Sequence, residues 1–180
     1  AAYRLRQRGH EVTIFEQLPV SGGMMFTGYP NFRLPLAVLR AENALEAWGV
    51  EMRYNVRVDT ALVERLVGEY DAVLLGTGKF KEVRLDVPGE DLDGVWSALD
   101  YLTQFKLGNN PPVGPRVVVV GAGYTAQDSS RTCVRLGHQV QILYRRTQED
   151  MPVLPFLRDK FVARQAAEGA PYVFQTTPVC

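Results

Sequence analysis

The sequence predicts an α/β protein in which parallel strands alternate with helices. Three observations support this fold class. Short apolar or β-branched stretches alternate with helix-length amphipathic stretches along the 180 residues. A proline-rich segment, residues 109–115 (NNPPVGP), separates two such series. A glycine-rich turn, residues 121–126 (GAGYTA), joins a run of four valines directly to a predicted helix.

Before the proline-rich linker, two signals predict each helix and strand: the spacing of its apolar residues, and the residue at which it begins or ends. Gly9 and Gly49 end two helices, and Ser97 caps another. The strands are β-branched or alternating runs, such as VTIF after the first helix. Residues 21–25 (SGGMM) are expected as a loop and residues 87–92 (VPGEDL) as a turn. In chain order, we expect a helix over residues 1–9, a strand over 12–15, a helix over 36–48, a strand over 51–58, a helix over 61–67, a strand over 72–75 and a helix over 97–105.

After the linker the alternation starts again. The valine run predicts a strand over residues 117–120, and a helix over residues 124–136 follows, with Gly137 ending it. A second apolar run predicts a strand over residues 140–144. A stretch interrupted by prolines precedes the last two elements, a helix over 157–168 and a strand over 172–174.

Charge and cysteine content narrow the function classes. The 20 basic and 20 acidic side chains balance, so we expect no nucleic-acid partner and no binding to a membrane surface. No apolar run approaches the ~20 residues of a membrane-spanning helix. The two cysteines, Cys133 and Cys180, have no metal or redox spacing, which favours a reducing, cytoplasmic location. Residues 1–8 read as the middle of a helix, and we expect both ends of the chain to be truncated.

The turn at residues 121–126 has the form G-x-G-x-x-A of dinucleotide-binding loops, and it lies between a strand and a helix as such loops do. The first glycine permits the tight turn, the second lets the backbone approach a pyrophosphate, and the small sixth residue lets the helix pack against the strand. The diphosphate would lie against free N–H groups at the start of the helix. The expected contacts are Gly121, Ala122, Gly123, Tyr124, Thr125 and Ala126.

Two arginines end the second strand of this unit. An NAD site usually carries an acidic residue at this position, where it binds the 2′-hydroxyl of the ribose. Arg145 and Arg146 instead supply permanent charges and forked donors that suit a 2′-phosphate. The sequence therefore predicts NADPH rather than NADH. The alternative is that both arginines only solvate the end of the strand.

A weaker copy of the same pattern precedes the linker. Gly9-His10, a strand and Glu16 parallel Gly137-His138, a strand and Arg145. In a Rossmann-type unit, an acid at the end of this strand binds a ribose hydroxyl, and its glycine loop lies about 20 residues upstream. That position falls before Ala1, so we infer truncation rather than divergence. Taken alone, an acid such as Glu16 is more often an exposed strand end than a ribose ligand.

Taken together, these motifs resemble the small (β) subunit of NADPH-dependent glutamate synthase. The same order is found in its relatives, which include the flavin part of dihydropyrimidine dehydrogenase and the flavoprotein subunits of ferredoxin:NADP oxidoreductases. The resemblance extends over essentially the whole chain. The motifs are Glu16, Gly22-Gly23-Met24, residues 28–35 (GYPNFRLP), 76–78 (GTG), 87–91 (VPGED), 121–126 (GAGYTA), 144–147 (YRRT) and 150–152 (DMP).

This resemblance implies two dinucleotide-binding, Rossmann-like domains in a glutathione-reductase-like arrangement, both incomplete. Residues 1–108 would form the FAD-binding domain without its first strand and glycine loop, residues 109–115 the linker, and residues 116–180 the first part of the NADPH-binding domain. Tyr124 stands where relatives often have Asn. The implied FAD contacts are Glu16 with the adenosine ribose, Val58 with the adenine, Thr77 and Gly78 with the pyrophosphate, and Gly23, Met24 and Arg33 on the flavin side.

The implied activity is hydride transfer from NADPH to FAD, followed by electron transfer to an iron–sulfur partner subunit or domain. The large subunit of glutamate synthase is one candidate partner, and the iron–sulfur clusters would lie outside this chain. Neither a catalytic side chain nor a metal ligand is expected here. The alternatives are an NADP(H)-binding module without turnover, a flavin monooxygenase and a thioredoxin-reductase-like flavoprotein. The last would need a Cys-x-x-Cys pair, which the sequence lacks.

Overall fold

The computed structural model describes residues 1–81 and 83–176. The described helices are α1 (Ala2–Gln7), α2 (Gly23–Thr27), α3 (Leu36–Glu42), α4 (Thr60–Glu69), α5 (Ala98–Lys106), α6 (Tyr124–Arg135) and α7 (Arg158–Ala167). The described strands are β1 (Thr13–Phe15), β2 (Glu51–Arg53), β3 (Arg116–Val120), β4 (Gln139–Tyr144) and β5 (Tyr172–Phe174). Short 3-10 turns cover Leu45–Trp48, Gln148–Asp150 and Pro155–Leu157. No helix in this part of the chain is both long and apolar enough to cross a membrane.

Every strand pair in the described ranges is parallel, which confirms the α/β fold class. The chain divides into two compact units, one formed by residues 1–26 and 31–79 and the other by residues 27–30 and 80 onward. In unit 1, β1 pairs with β2, and Ile14 lies opposite Met52. In unit 2, the strand order is β3-β4-β5, with Val119 opposite Ile142.

Helix ends in unit 1 follow from single residues. Gly9, at φ 88°, comes directly after the turn that ends α1 and turns the chain toward β1. The predicted helix over residues 36–48 is interrupted, since α3 ends at Asn43 and a 3-10 turn follows. The Asn43 side chain donates from Nδ2 to the Leu39 carbonyl at 2.9 Å and so competes with the helical backbone. Gly49 then ends the 3-10 turn in the left-handed region, as predicted.

Three other predictions for unit 1 are wrong. Residues 21–25 were expected as a loop, but α2 begins at Gly23. The strand expected over residues 51–58 is only β2, because Asn55 adopts a φ of 58° and breaks the extended run.

The third wrong prediction is the strand over residues 72–75. The structure assigns no strand there, and Leu74 and Leu75 are 73% and 66% exposed. A strand requires a neighbour to hydrogen-bond with, and neither β1 nor β2 pairs with this segment.

The core of unit 2 lies between the three-stranded sheet and the helices α5 and α6. Its central side chains are Leu102, Ile142 and Cys133, all buried. Helix α5 begins at Ser97, whose hydroxyl accepts from the Asp100 N–H at 3.1 Å, which confirms the predicted cap. Helix α5 packs in this core although it precedes the linker in sequence.

Helices α6 and α7 are joined by polar contacts. The Arg131 guanidinium donates to both oxygens of Glu168, at 2.7 and 2.9 Å. The buried amide of Gln165 donates to the Ser130 hydroxyl at 2.9 Å and to the Gln127 carbonyl at 3.2 Å. These contacts hold α7 against α6, the helix that begins directly after the glycine-rich turn.

Candidate functional site

The glycine-rich turn connects β3 to α6 at the carboxyl edge of the sheet. Gly121 has a φ of 125°, which an L side chain rarely adopts, and its N–H donates to the Leu143 carbonyl at 2.8 Å. Ala122 and Ala126 are buried. A Cβ added at Gly121 would lie 3.6 Å from the Ala126 Cβ, so the small side chain at 126 lets the helix start close against the strand. The turn therefore has the local geometry expected of a dinucleotide loop.

Gly123 is different, because nothing in the protein itself requires a glycine there. It is the N-cap of α6 with φ −78° and ψ 176°, an extended conformation open to any residue. The nearest atom to an added Cβ is Pro152 Cγ at 3.9 Å. No side chain caps α6, and its first turn carries no acidic residue. The N–H groups of that turn have no partner within the helix, so this end suits the phosphates of a dinucleotide.

A segment after β4 packs beside this turn. Met151 is 1% exposed and lies in a buried cluster with Ala122 and Val153. The Tyr124 hydroxyl lies 3.4 Å from the Leu154 N–H that donates to it, and the Tyr124 ring meets the Phe161 ring edge-on at 5.8 Å. Tyr124 thus joins the start of α6 to the segment and to α7. The sequence motif DMP lies in this segment, but its packing role was not predicted. The available signal was the apolar run that begins at Met151, directly after three polar residues.

Arg145 and Arg146 follow β4 at the same edge of the sheet. β3 and β4 are parallel neighbours, so the residues after both strands lie near each other. The backbone here is held by the residues that follow β5, since the Gln175 N–H donates to the Arg146 carbonyl and the Thr176 N–H to the Tyr144 carbonyl, both at 3.1 Å. Both arginine side chains are exposed, and neither forms an ion pair within residues 1–81 and 83–176. Their charges remain available to an anion.

The acidic residues near these arginines are held by Thr147. The Asp150 carboxylate accepts from the Thr147 hydroxyl at 2.9 Å and from its N–H at 3.2 Å. These hydrogen bonds, with a smaller effect of the Arg146 charge, lower the pKa of Asp150. Asp150 is therefore an anion at neutral pH, and both Thr147 donors bond its Oδ2 oxygen.

In unit 1, the structure places Glu16 directly after β1. Its carboxylate accepts from the Leu18 N–H at 2.9 Å, and its carbonyl accepts from the Val56 N–H at 2.9 Å. The second contact brings the chain near Val58 toward the end of β1. Glu16 and Val58 are both partly buried.

The remaining residues expected to contact FAD lie on other segments of unit 1. Gly23, at φ 50°, begins α2, and Met24 and Arg33 are exposed. Thr77 and Gly78 lie in an exposed stretch without regular secondary structure. Within the described residues, no hydrogen bond joins these two to the end of β1. Among the residues described, no group of three or more His, Cys, Asp or Glu could hold a metal ion.

Comparisons with known proteins show which proteins the chain is similar to. The family model "Pyridine nucleotide-disulphide oxidoreductase" matches residues 1–178. The chain is 39% identical to the β subunit of an NADP⁺-dependent formate dehydrogenase from Moorella thermoacetica, over 99% of the chain and 26% of that protein. It is 38% identical to the small chain of glutamate synthase [NADPH] from Halomonas elongata, over 97% of the chain and 39% of that protein. The β subunit of an NADPH–Fe³⁺ oxidoreductase from Geobacter sulfurreducens is 33% identical over 98% of the chain and 27% of that protein.

Solved structures share the fold at lower sequence identity. A 2-naphthoyl-CoA reductase superposes with a TM-score of 0.77 at 19% identity, over 98% of this chain and 26% of that one. A ferredoxin reductase from Rhodopseudomonas palustris superposes with a TM-score of 0.58 at 18% identity, over 98% of this chain and 46% of that one. The chain thus spans less than half the length of each of these proteins. With a family model matching almost every residue and curated relatives above 30% identity, the chain belongs to the pyridine nucleotide-disulphide oxidoreductase family.

Proposed function

We propose that this chain is the NADPH- and FAD-binding part of a flavin-dependent oxidoreductase of the glutamate synthase small-subunit type. It would accept electrons as hydride from NADPH and pass them through FAD to an iron–sulfur partner subunit. Membership of the family supports the redox class. The names of three relatives, two of them β subunits and one a small chain, support a role within a multi-subunit enzyme.

The observation that carries this proposal is the edge of the sheet in unit 2. There, a helix N-terminus without a side-chain cap follows Gly123, whose added Cβ would make only an ordinary contact, and two exposed arginines follow the neighbouring strand. A diphosphate would lie against the first turn of α6, and the arginines would bind a 2′-phosphate by charge-assisted hydrogen bonds. The residues assigned to NADPH are Gly121, Ala122, Gly123, Tyr124, Thr125, Ala126, Arg145 and Arg146.

The flavin side is assigned to unit 1. Glu16, at the end of β1, would bind the adenosine ribose. Val58, two residues after the Val56 N–H that donates to the Glu16 carbonyl, would contact the adenine. We further propose the domain limits 1–108, 109–115 and 116–180, with both dinucleotide-binding domains incomplete. The other residues assigned to FAD are Gly23, Met24, Arg33, Thr77 and Gly78.

The two cofactors, when bound, supply the redox chemistry itself, as a hydride donor and a hydride acceptor. The chain's own residues bind and orient them. The α6 N-terminus neutralises diphosphate charge, and the buried pair Ala122 and Met151 keeps the glycine turn against the sheet. No side chain of this chain needs to transfer a proton for a hydride to move, so binding and orientation are its contribution.

The first test replaces the two arginines. The double variant Arg145→Ala/Arg146→Ala should weaken NADPH binding by about 1.5–3 kcal/mol for each charge-assisted hydrogen bond lost. NADH has no 2′-phosphate, and its affinity should change little. Arg116→Ala is the matched control, because Arg116 is exposed at the start of β3, at the opposite edge of the sheet. Equal losses for NADPH and NADH, measured by calorimetry, would refute the assignment.

A second test concerns turnover. If the purified chain is yellow and NADPH bleaches its flavin absorbance, the oxidoreductase proposal holds for this chain. If it binds NADPH but neither holds nor reduces FAD when FAD is added, the chain is an NADP(H)-binding module and the proposed activity is refuted for it. NADH serves as the control reductant in both cases.

A further inference from the structure

The loop that follows β4 is held at both of its ends. At its start, the two residues directly after β5 fix the backbone, since the Thr176 N–H donates to the Tyr144 carbonyl and the Gln175 N–H to the Arg146 carbonyl, both at 3.1 Å. At its end, Met151 is 1% exposed and anchored beside Ala122. Between these anchors lie the two exposed arginines and a 3-10 turn over Gln148–Asp150. The loop is thus a defined structure rather than a loose connection.

Asp150 forms hydrogen bonds through its side chain, its backbone N–H and its backbone carbonyl. Its carboxylate accepts from the Thr147 hydroxyl at 2.9 Å and from the Thr147 N–H at 3.2 Å. Its own N–H donates to the Thr147 carbonyl at 3.2 Å. The Tyr144 hydroxyl donates to its carbonyl at 2.8 Å and closes the loop across the arginines. Thr147 and Asp150 together form a capping box for the 3-10 turn.

This arrangement has a consequence for the arginines. Asp150 is an acid only four residues after Arg146, and a carboxylate free to turn toward a guanidinium would compete with a phosphate for it. Thr147 bonds one carboxylate oxygen, Oδ2, with both of its donors and so holds the carboxylate in the 3-10 turn. It also fixes the direction in which the chain leaves Arg146, which reduces the entropy lost when the arginine side chains close on an anion.

We propose that Thr147 and Asp150 are positioning residues that set the preference of this site for a 2′-phosphorylated dinucleotide. The inference rests on the proposed NADPH site and deepens it. Neither residue needs to touch the nucleotide. Thr147 acts on Asp150, and the pair acts on the arginines by orienting their backbone and by holding the orientation of a nearby carboxylate in the turn.

The test compares 2′,5′-ADP with 5′-ADP, two probes that differ only in the 2′-phosphate. Thr147→Val keeps the shape and charge of the side chain but removes the hydroxyl donor. We expect it to weaken 2′,5′-ADP binding about five- to tenfold, the scale of one lost hydrogen bond, and 5′-ADP binding less than about twofold. Thr147→Ser keeps the hydroxyl and should restore at least most of the affinity. Thr103→Val is the matched control, since its hydroxyl bonds locally within α5.

A loss that is equal for both probes, or no loss for 2′,5′-ADP, would overturn the inference, because a purely structural role does not distinguish them. If Thr147→Val lowers the melting temperature sharply, Asp150→Asn is the variant that decides. It keeps the shape of the side chain and weakens the hydrogen bond between residues 147 and 150. An unchanged ratio of the two affinities in that variant would overturn the inference as well. The arginine double variant separates the two proposals: if it lowers the ratio while Thr147→Val does not, the NADPH site stands and only the positioning role fails.

Discussion

A substitution at Gly123 should change dinucleotide binding while leaving the stability of the fold almost unchanged. Its φ of −78° and ψ of 176° are open to alanine, and the nearest atom to a new Cβ is Pro152 Cγ at 3.9 Å, an ordinary contact. Replacing a glycine in a compatible conformation stabilises a protein by about 0.4–1 kcal/mol through the unfolded state. Alanine is a poorer N-cap than glycine, which costs a similar amount, roughly 0.5–1 kcal/mol. Gly123→Ala should therefore leave the free energy of unfolding within about 1 kcal/mol of the parent.

Binding should respond very differently. If the diphosphate approaches the backbone at Gly123, a methyl group there occupies the space of a phosphate oxygen. We expect NADPH and NADH to lose affinity alike, by at least about tenfold or 1.4 kcal/mol, because both carry the diphosphate. This pattern differs from that of the arginine variants, which should affect NADPH alone.

The assay is isothermal calorimetry with each dinucleotide, paired with urea unfolding of the same samples. Gly121→Ala is the contrasting variant: at φ 125°, it strains the backbone and should destabilise the fold by about 1–3 kcal/mol. Retained affinity of Gly123→Ala within twofold would refute the close approach of a phosphate at this position. A large loss of stability in Gly123→Ala would refute the claim that the protein itself leaves this space open.

Two further predictions concern stability. Glu168→Gln should cost about 1–2 kcal/mol at neutral pH, because it weakens the paired hydrogen bonds with Arg131, whose side chain is only 13% exposed. The Arg131 hydrogen bonds lower the pKa of Glu168, so its contribution is present above the unfolded-state pKa and is lost as the pH falls through the lowered value. The gap between Glu168→Gln and the parent should thus close in acid, and a gap independent of pH in urea titrations would contradict this. Ser97→Ala should destabilise unit 2 by about 1 kcal/mol through the lost cap on α5, while Ser97→Asp, which can still cap, should not; equal losses in the melting temperature would count against the cap.

Local signals in the sequence predicted the part of the site that depends on a few neighbouring residues. Gly121 requires a left-handed backbone, and the valine run requires a strand, so the β3–turn–α6 order could be read without tertiary information. The caps at Ser97 and Gly49 are local in the same sense. The family resemblance added the remaining assignments. The match to the pyridine nucleotide-disulphide oxidoreductase family and the 38% identity to a glutamate synthase small chain confirm the resemblance itself.

The positions of the polar groups around the site could not be read in this way. The sequence shows Thr147 and Asp150 three residues apart, but whether their side chains pair depends on the turn between them. The sequence shows that residue 124 of the loop is a tyrosine, where relatives often have Asn. It does not show that Tyr124 contacts Leu154 and Phe161, which lie 30 or more residues further along the chain. These contacts are set by how α7 and the preceding segment pack on the sheet, which no local pattern specifies.

By itself, then, the sequence determined the α/β class, the glycine-rich turn and the paired arginines after the neighbouring strand, because each depends on backbone preferences over a few residues. Only the tertiary structure decided which apolar runs become strands. Residues 72–75 are as apolar as β3, yet they form no strand, while Arg116–Val120 does, since β4 lies beside it to accept and donate the hydrogen bonds. A strand forms only where an adjacent strand supplies hydrogen-bond partners for its backbone, and whether one lies there depends on the tertiary fold rather than on the segment's own sequence.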